Sequence, residues 1–300
     1  PAEFLPVIAS HELEIQIGNW VIEQAWRQMT HWHRQGIHLE VGVNISAYHL
    51  LWPDFVERLE ATLALNPTIP SRYLQLEILE STALDDLSAV NRIIKTCRDA
   101  LGVMTALDDF GTGYSSLAHL RHLPVNAVKI DKGFVRDMLD DPDDFAIVES
   151  VISLSQAFRH EVIAEGVETP EQGLMLLLLD CHLAQGYAIA KPMPAADLAA
   201  WKANYQPYPD WQAYANKKLS TQQIQIAIRR IDLKQWLYRV HLCLNGQHNN
   251  SAYWPSMLSG KSHFGRWLKQ AQQQDLYNKP WLQELSRLHG ELLQKGNALM

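Results

Sequence analysis

The sequence predicts an α/β fold, a TIM-like (β/α)8 barrel whose first strands are missing from this chain, followed by a small all-helical module. Three observations carry that expectation. Short β-branched runs alternate with amphipathic stretches, nearly every run ends in a polar residue that a barrel core would not accept, and after Pro192 the pattern changes, becoming wholly helical from about Thr221.

The strand candidates, in order, are Leu39 to Ile45, Tyr73 to Leu79, Met104 to Leu107, Ala127 to Ile130, Glu161 to Ala164 and Leu183 to Ile189. Between them Glu12 to Gln35, Asp86 to Ala100, Phe145 to Phe158 and Pro170 to Leu179 carry apolar residues near helical spacing. Crossover helices cover both faces of a parallel sheet, so this alternation implies a barrel domain over 1–205. A Pro- and aromatic-bearing linker follows over 206–218. Helical segments near Ile224 to Leu244, Ala252 to Gln270 and Trp281 to Leu299 then form a module over 219–300, where tryptophans concentrate as large apolar anchors.

The residues closing the strands are Asn44, Glu77, Asp108 with Asp109, Lys129, Glu165 and Gln185. In a barrel the C-terminal strand ends converge on one mouth, so these distant residues become neighbours. Four carboxylates gathered there repel one another, and bound cations are the simplest remedy. Oxygen donors suit hard ions such as Mg²⁺ or Mn²⁺ better than zinc. An Asp-Asp pair suits two ions about 3.5–4 Å apart, the arrangement that clamps both oxygens of a phosphodiester displacement. Lys129 can position or deprotonate the attacking water, or neutralise developing charge. For any single one of these residues a solvated strand-end charge or a helix cap is an equal reading; the set argues for a site.

Composition narrows the function. A hydrophobic fraction of 47% with 20% charged residues is that of a globular domain. The net charge of -7 argues against charge-driven binding to duplex nucleic acid. Cys97, Cys181 and Cys243 are scattered without CxxC spacing, which points to a reducing compartment, the cytoplasm. The longest apolar runs fall short of the roughly 20 residues a membrane span needs. The chain opens at Pro1 in mid-pattern, so anchors, sensors or other modules are expected upstream.

The order of these motifs resembles that of the EAL-domain family of cyclic-di-GMP phosphodiesterases. Val43-Asn44-Ile45-Ser46 resembles the family's Asn strand, and Leu76-Glu77-Ile78-Leu79-Glu80-Ser81 its Glu strand, with Leu79 where Thr is usual. The segment from Asp108 to Leu117 resembles the family's central loop without a departure, and Val128-Lys129-Ile130-Asp131, Ala164-Glu165-Gly166-Val167-Glu168-Thr169 and Gln185-Gly186-Tyr187 complete the set. The resemblance implies that Asn44, Glu77 and Asp108 bind one Mg²⁺ or Mn²⁺ and that Asp108, Asp109 and Glu165 serve the second. It implies that Lys129 holds the hydrolytic water, and that Gln185 and Tyr187 contact the substrate. It also implies that Glu80 and Glu168 brace the loop carrying Gly111, Thr112 and Gly113, which links the site to a homodimer partner. The products would be linear pGpG, and upstream sensor or GGDEF-type domains are expected. The glutamate of the EAL signature, and the first two strands, should lie before Pro1. A receptor that binds cyclic-di-GMP without cutting it is therefore the alternative.

Residues 241–300 weakly resemble the CZB zinc-binding helical domain, through His241, His263 with Phe264-Gly265-Arg266-Trp267-Leu268, and His289. His263 stands where that family has Cys, and Leu293 where it has another His. Three imidazoles and a water can hold zinc, and a metal-free packing module fits the same residues.

Overall fold

The computed structural model describes residues 3, 5–80, 87–112, 123–215, 219–245, 254–255, 258–273 and 280–299. Gly113 and the stretch Tyr114 to Leu117 of the central loop lie outside the described residues. The helices Leu5–Ile8 (α1) and Glu12–Arg34 (α2) precede the first strand, Val41–Ile45 (β1). Ala47–Leu50 (α3), Phe55–Ala64 (α4), Leu74–Leu79 (β2), Leu87–Asp99 (α5), Met104–Phe110 (β3) and Ala127–Ile130 (β4) follow. Then come Lys132–Asp137 (α6), Pro142–Ala157 (α7), Glu161–Ala164 (β5), Pro170–Leu178 (α8) and Leu183–Ala184 (β6). Leu198–Asn204 (α9), Pro209–Ala215 (α10), Thr221–Leu244 (α11), His263–Gln273 (α12) and Pro280–Asn297 (α13) complete the chain. The strands form one sheet in chain order, and β1 to β5 pair in parallel. This curled parallel sheet with surrounding helices is part of a TIM-like barrel.

Two compact units divide the chain. The first comprises Pro1–Asp131, Ser153–Glu165 and Lys191–Gln206; the second comprises Lys132–Ile152, Gly166–Ala190 and Pro207–Met300. In the first, α2 buries Ile15, Ile22, Trp26 and Met29, a stripe at helical spacing that faces β1 and α4. Its end is a Schellman cap: Gly36, at φ 73°, donates to the His33 carbonyl and Ile37 to the Trp32 carbonyl. Along β2, Leu74, Gln75, Leu76 and Ile78 are buried on both faces, as strands covered by crossover helices are.

One irregularity shapes the site. Leu107 pairs with Val128 but Phe110 with Ile130, so β3 holds one residue more than β4 across this step. Asp109 takes φ 53° there, a left-handed conformation that costs a non-glycine residue about 1–3 kcal/mol.

In the second unit, Thr169 and Gln172 form a capping box at the start of α8, with Pro170 in the first turn. Within 206–218, expected as a linker, α10 packs on α8: the Trp211 indole donates to the Pro170 carbonyl at 2.7 Å and lies over Gly173. A Cβ at Gly173 would stand 2.2 Å from the indole ring, so only glycine admits this seat. Phe264, Leu268, Ala271 and Leu282 make a small core with Leu233, Trp267 and Leu285. Arg239 pairs with Asp140, just before α7, and Arg266 with Asp143 in its first turn, tying α11 and α12 to this acidic segment.

Two sequence expectations change. The strand expected over Leu183 to Ile189 is only two residues long, because Gly186, at φ 154°, turns the chain and brings the backbone against Val167. The helix expected over Ala252 to Gln270 starts at His263, after a short 3-10 turn, Ser259–Lys261.

Candidate active site

Lys129 organises the strand ends. Its ammonium lies 2.8 Å from Glu77 Oε2, 3.1 Å from Asp108 Oδ1 and 2.5 Å from Glu165 Oε1. Its side chain is 4% exposed. Burial by itself would lower its pKa, but the hydrogen bonds it donates to Glu165 and Glu77 reverse the sign and hold it above the usual lysine range. It is therefore a fixed cation, which favours orienting a water or neutralising charge over accepting a proton.

Carboxylate oxygens of Asp108, Asp109 and Glu165 lie within 4.8 Å of one another. A regular strand would send Asp108 and Asp109 to opposite faces; the extra residue in β3 and the left-handed Asp109 let both join Glu165. Burial first, then repulsion from Asp108 and Asp131, raises the pKa of Asp109 against the pull of Lys129. Burial likewise raises that of Glu165 despite the hydrogen bond from Lys129. Both carboxyls are electrostatically frustrated as found, and that is the physical sign of a cation site: oxygen donors only, closely spaced and under-compensated.

Glu77 stands outside this cluster and joins it through Lys129. It is the register partner of Asn44 on the outer strand β1, where Asn44 is exposed. Gly42 leaves room for it, since a Cβ there would fall 1.9 Å from Glu77 Oε1. Glu80, 4% exposed, accepts a hydrogen bond at 2.9 Å from the Gly111 backbone, and the Thr112 hydroxyl donates to the Asp109 carbonyl. Gly111 takes φ 99°, which only glycine adopts easily. Gln185, Tyr187 and Glu168 belong to the second unit and are exposed. The Gln185 carbonyl accepts from Val167, and the Glu168 backbone donates to Gln172 Oε1. Asp131, hydrogen-bonded to Asp109, is a site residue that strand-end reasoning passed over because Lys129 was already taken as the polar end of β4.

Among the described residues His241, His263 and His289 form no metal-holding group. His241 is exposed beside Asn245, whereas His263 packs edge-on to Phe145 and His289 packs against Phe264. Burial holds the His263 pKa down at about 4, as suits a neutral packing imidazole.

The family profile described as "EAL domain" matches residues 1–192. The chain belongs to the EAL domain family. This EAL domain is 40% identical over 202 residues to the bifunctional diguanylate cyclase/cyclic di-GMP phosphodiesterase MucR of Pseudomonas aeruginosa, covering 67% of this chain and 29% of MucR. It is 34% identical over 207 residues to the cyclic di-GMP phosphodiesterase PdeR of Escherichia coli, covering 68% of this chain and 31% of PdeR. The chain thus spans about a third of the length of these curated relatives. Among solved structures, the PaMucR phosphodiesterase in complex with c-di-GMP superposes with a TM-score of 0.63 at 39% identity, covering 66% of this chain and 80% of that one. The EAL domain of Mycobacterium smegmatis DcpA gives 0.59 at 34%, covering 62% and 83%. Among the described residues no helix is long and apolar enough to cross a membrane.

Proposed function

We propose that this EAL domain hydrolyses cyclic-di-GMP to linear pGpG in a metal-dependent reaction of bacterial second-messenger signalling. The observation that carries this is charge: of five neighbouring carboxylates, Glu77, Asp108 and Glu165 pair with one ammonium, Lys129, Asp109 lies in its field, and Asp131 lies against Asp109. If all are ionised, four negative charges remain, the number that two divalent cations balance. Asp108, Asp109 and Glu165 would hold Mg²⁺ or Mn²⁺, with Asn44 and Glu77 extending the donor set along the sheet. Bound there, such ions acidify water and stabilise charge on a phosphodiester.

The chain's own residues supply the rest. Lys129, kept protonated, donates to the attacking water or to a phosphate oxygen. Glu80 anchors Gly111 and so fixes the turn that follows Asp109. Gln185 and Tyr187 orient the dinucleotide. We place the reaction in the cytoplasm, in a homodimer with sensor or GGDEF-type domains attached. The domain limits we propose are 1–205 for the barrel and 219–300 for a CZB-like helical module, joined by 206–218.

A second reading, a cyclic-di-GMP receptor, is favoured by the ion pairs through which Lys129 already holds Glu77, Asp108 and Glu165 in place with protein groups alone. Incubation of the protein with cyclic-di-GMP and Mg²⁺ or Mn²⁺, with nucleotides resolved by chromatography, separates the two. Accumulation of pGpG supports hydrolysis; retention of bound, intact dinucleotide replaces it with the receptor.

A further inference from the structure

The sequence His31-Trp32-His33 at the end of α2, with His38 five residues beyond His33, has no part in the carboxylate site. The Schellman cap at Gly36 reverses the chain and returns His38 to His33, leaving their Nδ1 atoms 2.9 Å apart and their ring centroids 4.5 Å apart. The His38 ring stacks on Tyr73 with an interplanar angle of 19°. Both imidazoles line a small cavity with Met29, Trp32, Ile37 and Tyr73. Backbone cap and ring stacking together hold two nitrogen donors side by side.

We infer that His33 and His38 form a chelating site for a transition-metal dication that prefers right-angle nitrogen coordination, Cu²⁺ or Ni²⁺, with water in the remaining positions. The spacing is that of a ring-to-ring hydrogen bond and also suits this class of ion. For metal–nitrogen bonds of about 2.0–2.1 Å, a nitrogen separation of 2.9 Å corresponds to an angle of about 90° at the metal, whereas a tetrahedral ion would need about 3.3–3.4 Å. In the hydrogen-bonded pair one ring carries its proton on Nδ1. Binding shifts that ring to its Nε2–H tautomer, so both Nδ1 lone pairs are available and no net proton is lost from neutral rings. The C-terminal end of a 23-residue helix, whose dipole favours cations, lies at the same place. A bound ion would clip the end of α2 to the segment entering β1.

The test is Cu²⁺ titration of the full chain, saturated beforehand with Mg²⁺, followed by electron paramagnetic resonance and thermal unfolding. One Cu²⁺ with hyperfine structure from two nitrogens is expected, together with a higher unfolding midpoint. His33→Ala and His38→Ala should each weaken binding by at least about tenfold, and the double variant should lose the shift in midpoint. His31→Ala should bind as the unsubstituted chain does. Unchanged Cu²⁺ affinity and spectrum in the double variant would overturn the site, since the ion would then sit on others of the 13 histidines. Tighter binding of Zn²⁺ than of Cu²⁺ at His33 and His38 would overturn the right-angle geometry.

Discussion

The ammonium of Lys129 lies 2.5 Å from a carboxylate oxygen of Glu165, one residue past the end of the neighbouring strand β5, and the same ammonium also reaches Glu77 and Asp108. A single cation thus holds together three strand ends. Lys129→Ala should lower cyclic-di-GMP turnover by at least about 10²-fold, through loss of a positioned donor. Without metal it should also destabilise the fold by about 3–5 kcal/mol, because buried carboxylates lose their partner. Urea unfolding with chelator and with Mn²⁺ separates the effects, Mn²⁺ restoring stability but not turnover. Equal stability of the two proteins in chelator would contradict the central role of Lys129.

His49 is 1% exposed, and its Nε2 lies 3.0 Å from Asn19 Oδ1. Burial holds its pKa at about 4, against 6.5 for a free imidazole, in spite of the opposing pull of Glu14. A base depressed in the folded state contributes stability that is fully present above pH 6.5 and is lost as pH falls towards 4. The expected loss is about 3 kcal/mol. His263 acts in the same direction in the second unit, and Asp232, raised to about 6 by burial, acts in the opposite one between pH 3.8 and 6. Replacing His49 by Gln should flatten the pH dependence of the urea midpoint between pH 7 and 4.5; an unaltered slope would count against this account.

A Cβ at Gly186 would meet the backbone nitrogen and oxygen of Val167 at 2.3 Å, and its φ of 154° is foreign to L side chains. Gly186→Ala should therefore destabilise by about 2 kcal/mol or more, because backbone cannot yield as a flexible side chain can. Its neighbour Gln185 would be displaced, so KM for cyclic-di-GMP should rise more than kcat falls. A variant as stable as the parent would refute the clash.

Trp211 is 9% exposed and makes its hydrogen bond across to α8. Trp211→Ala should cost about 3–5 kcal/mol, whereas Trp211→Phe, which keeps most of the packing, should cost distinctly less. Limited proteolysis between residues 205 and 220 should accelerate in the alanine variant, and identical cleavage rates would show that α10 does not depend on this anchor.

The barrel elements were legible because β-branched runs and helical periodicity alternate clearly: β4 and β5 lie where the pattern puts them, and α2 and α8 fall within a residue or two of it. The short helices α3 and α4 were not read, since their apolar residues are set by tertiary packing rather than by a long stripe. The two-residue β6 was overread because its apolar run continues past Gly186, whose turn is a backbone property. At the site, residue types announced Asp108, Asp109, Lys129 and Glu165, but not that Lys129 would join Glu77 to the other acids. Asp131 was missed because Lys129 already supplied the polar end of that strand. The three C-terminal histidines were read as candidate ligands from the weak resemblance to the CZB domain, and His263 and His289 pack against Phe145 and Phe264.

The extra residue in β3 makes the Asp108–Asp109 pair a property of chain length as much as of side chains. The residues between Leu107 and Phe110 are Asp108 and Asp109 themselves, so deleting one to restore an even ladder with β4 would also remove one of the two carboxylates that join Glu165. Substitutions can be reversed one position at a time, but a lost insertion cannot be replaced by any choice of amino acids. Among related chains, the spacing from strand to glycine turn should therefore be held more tightly than the identity of the residues packed behind it.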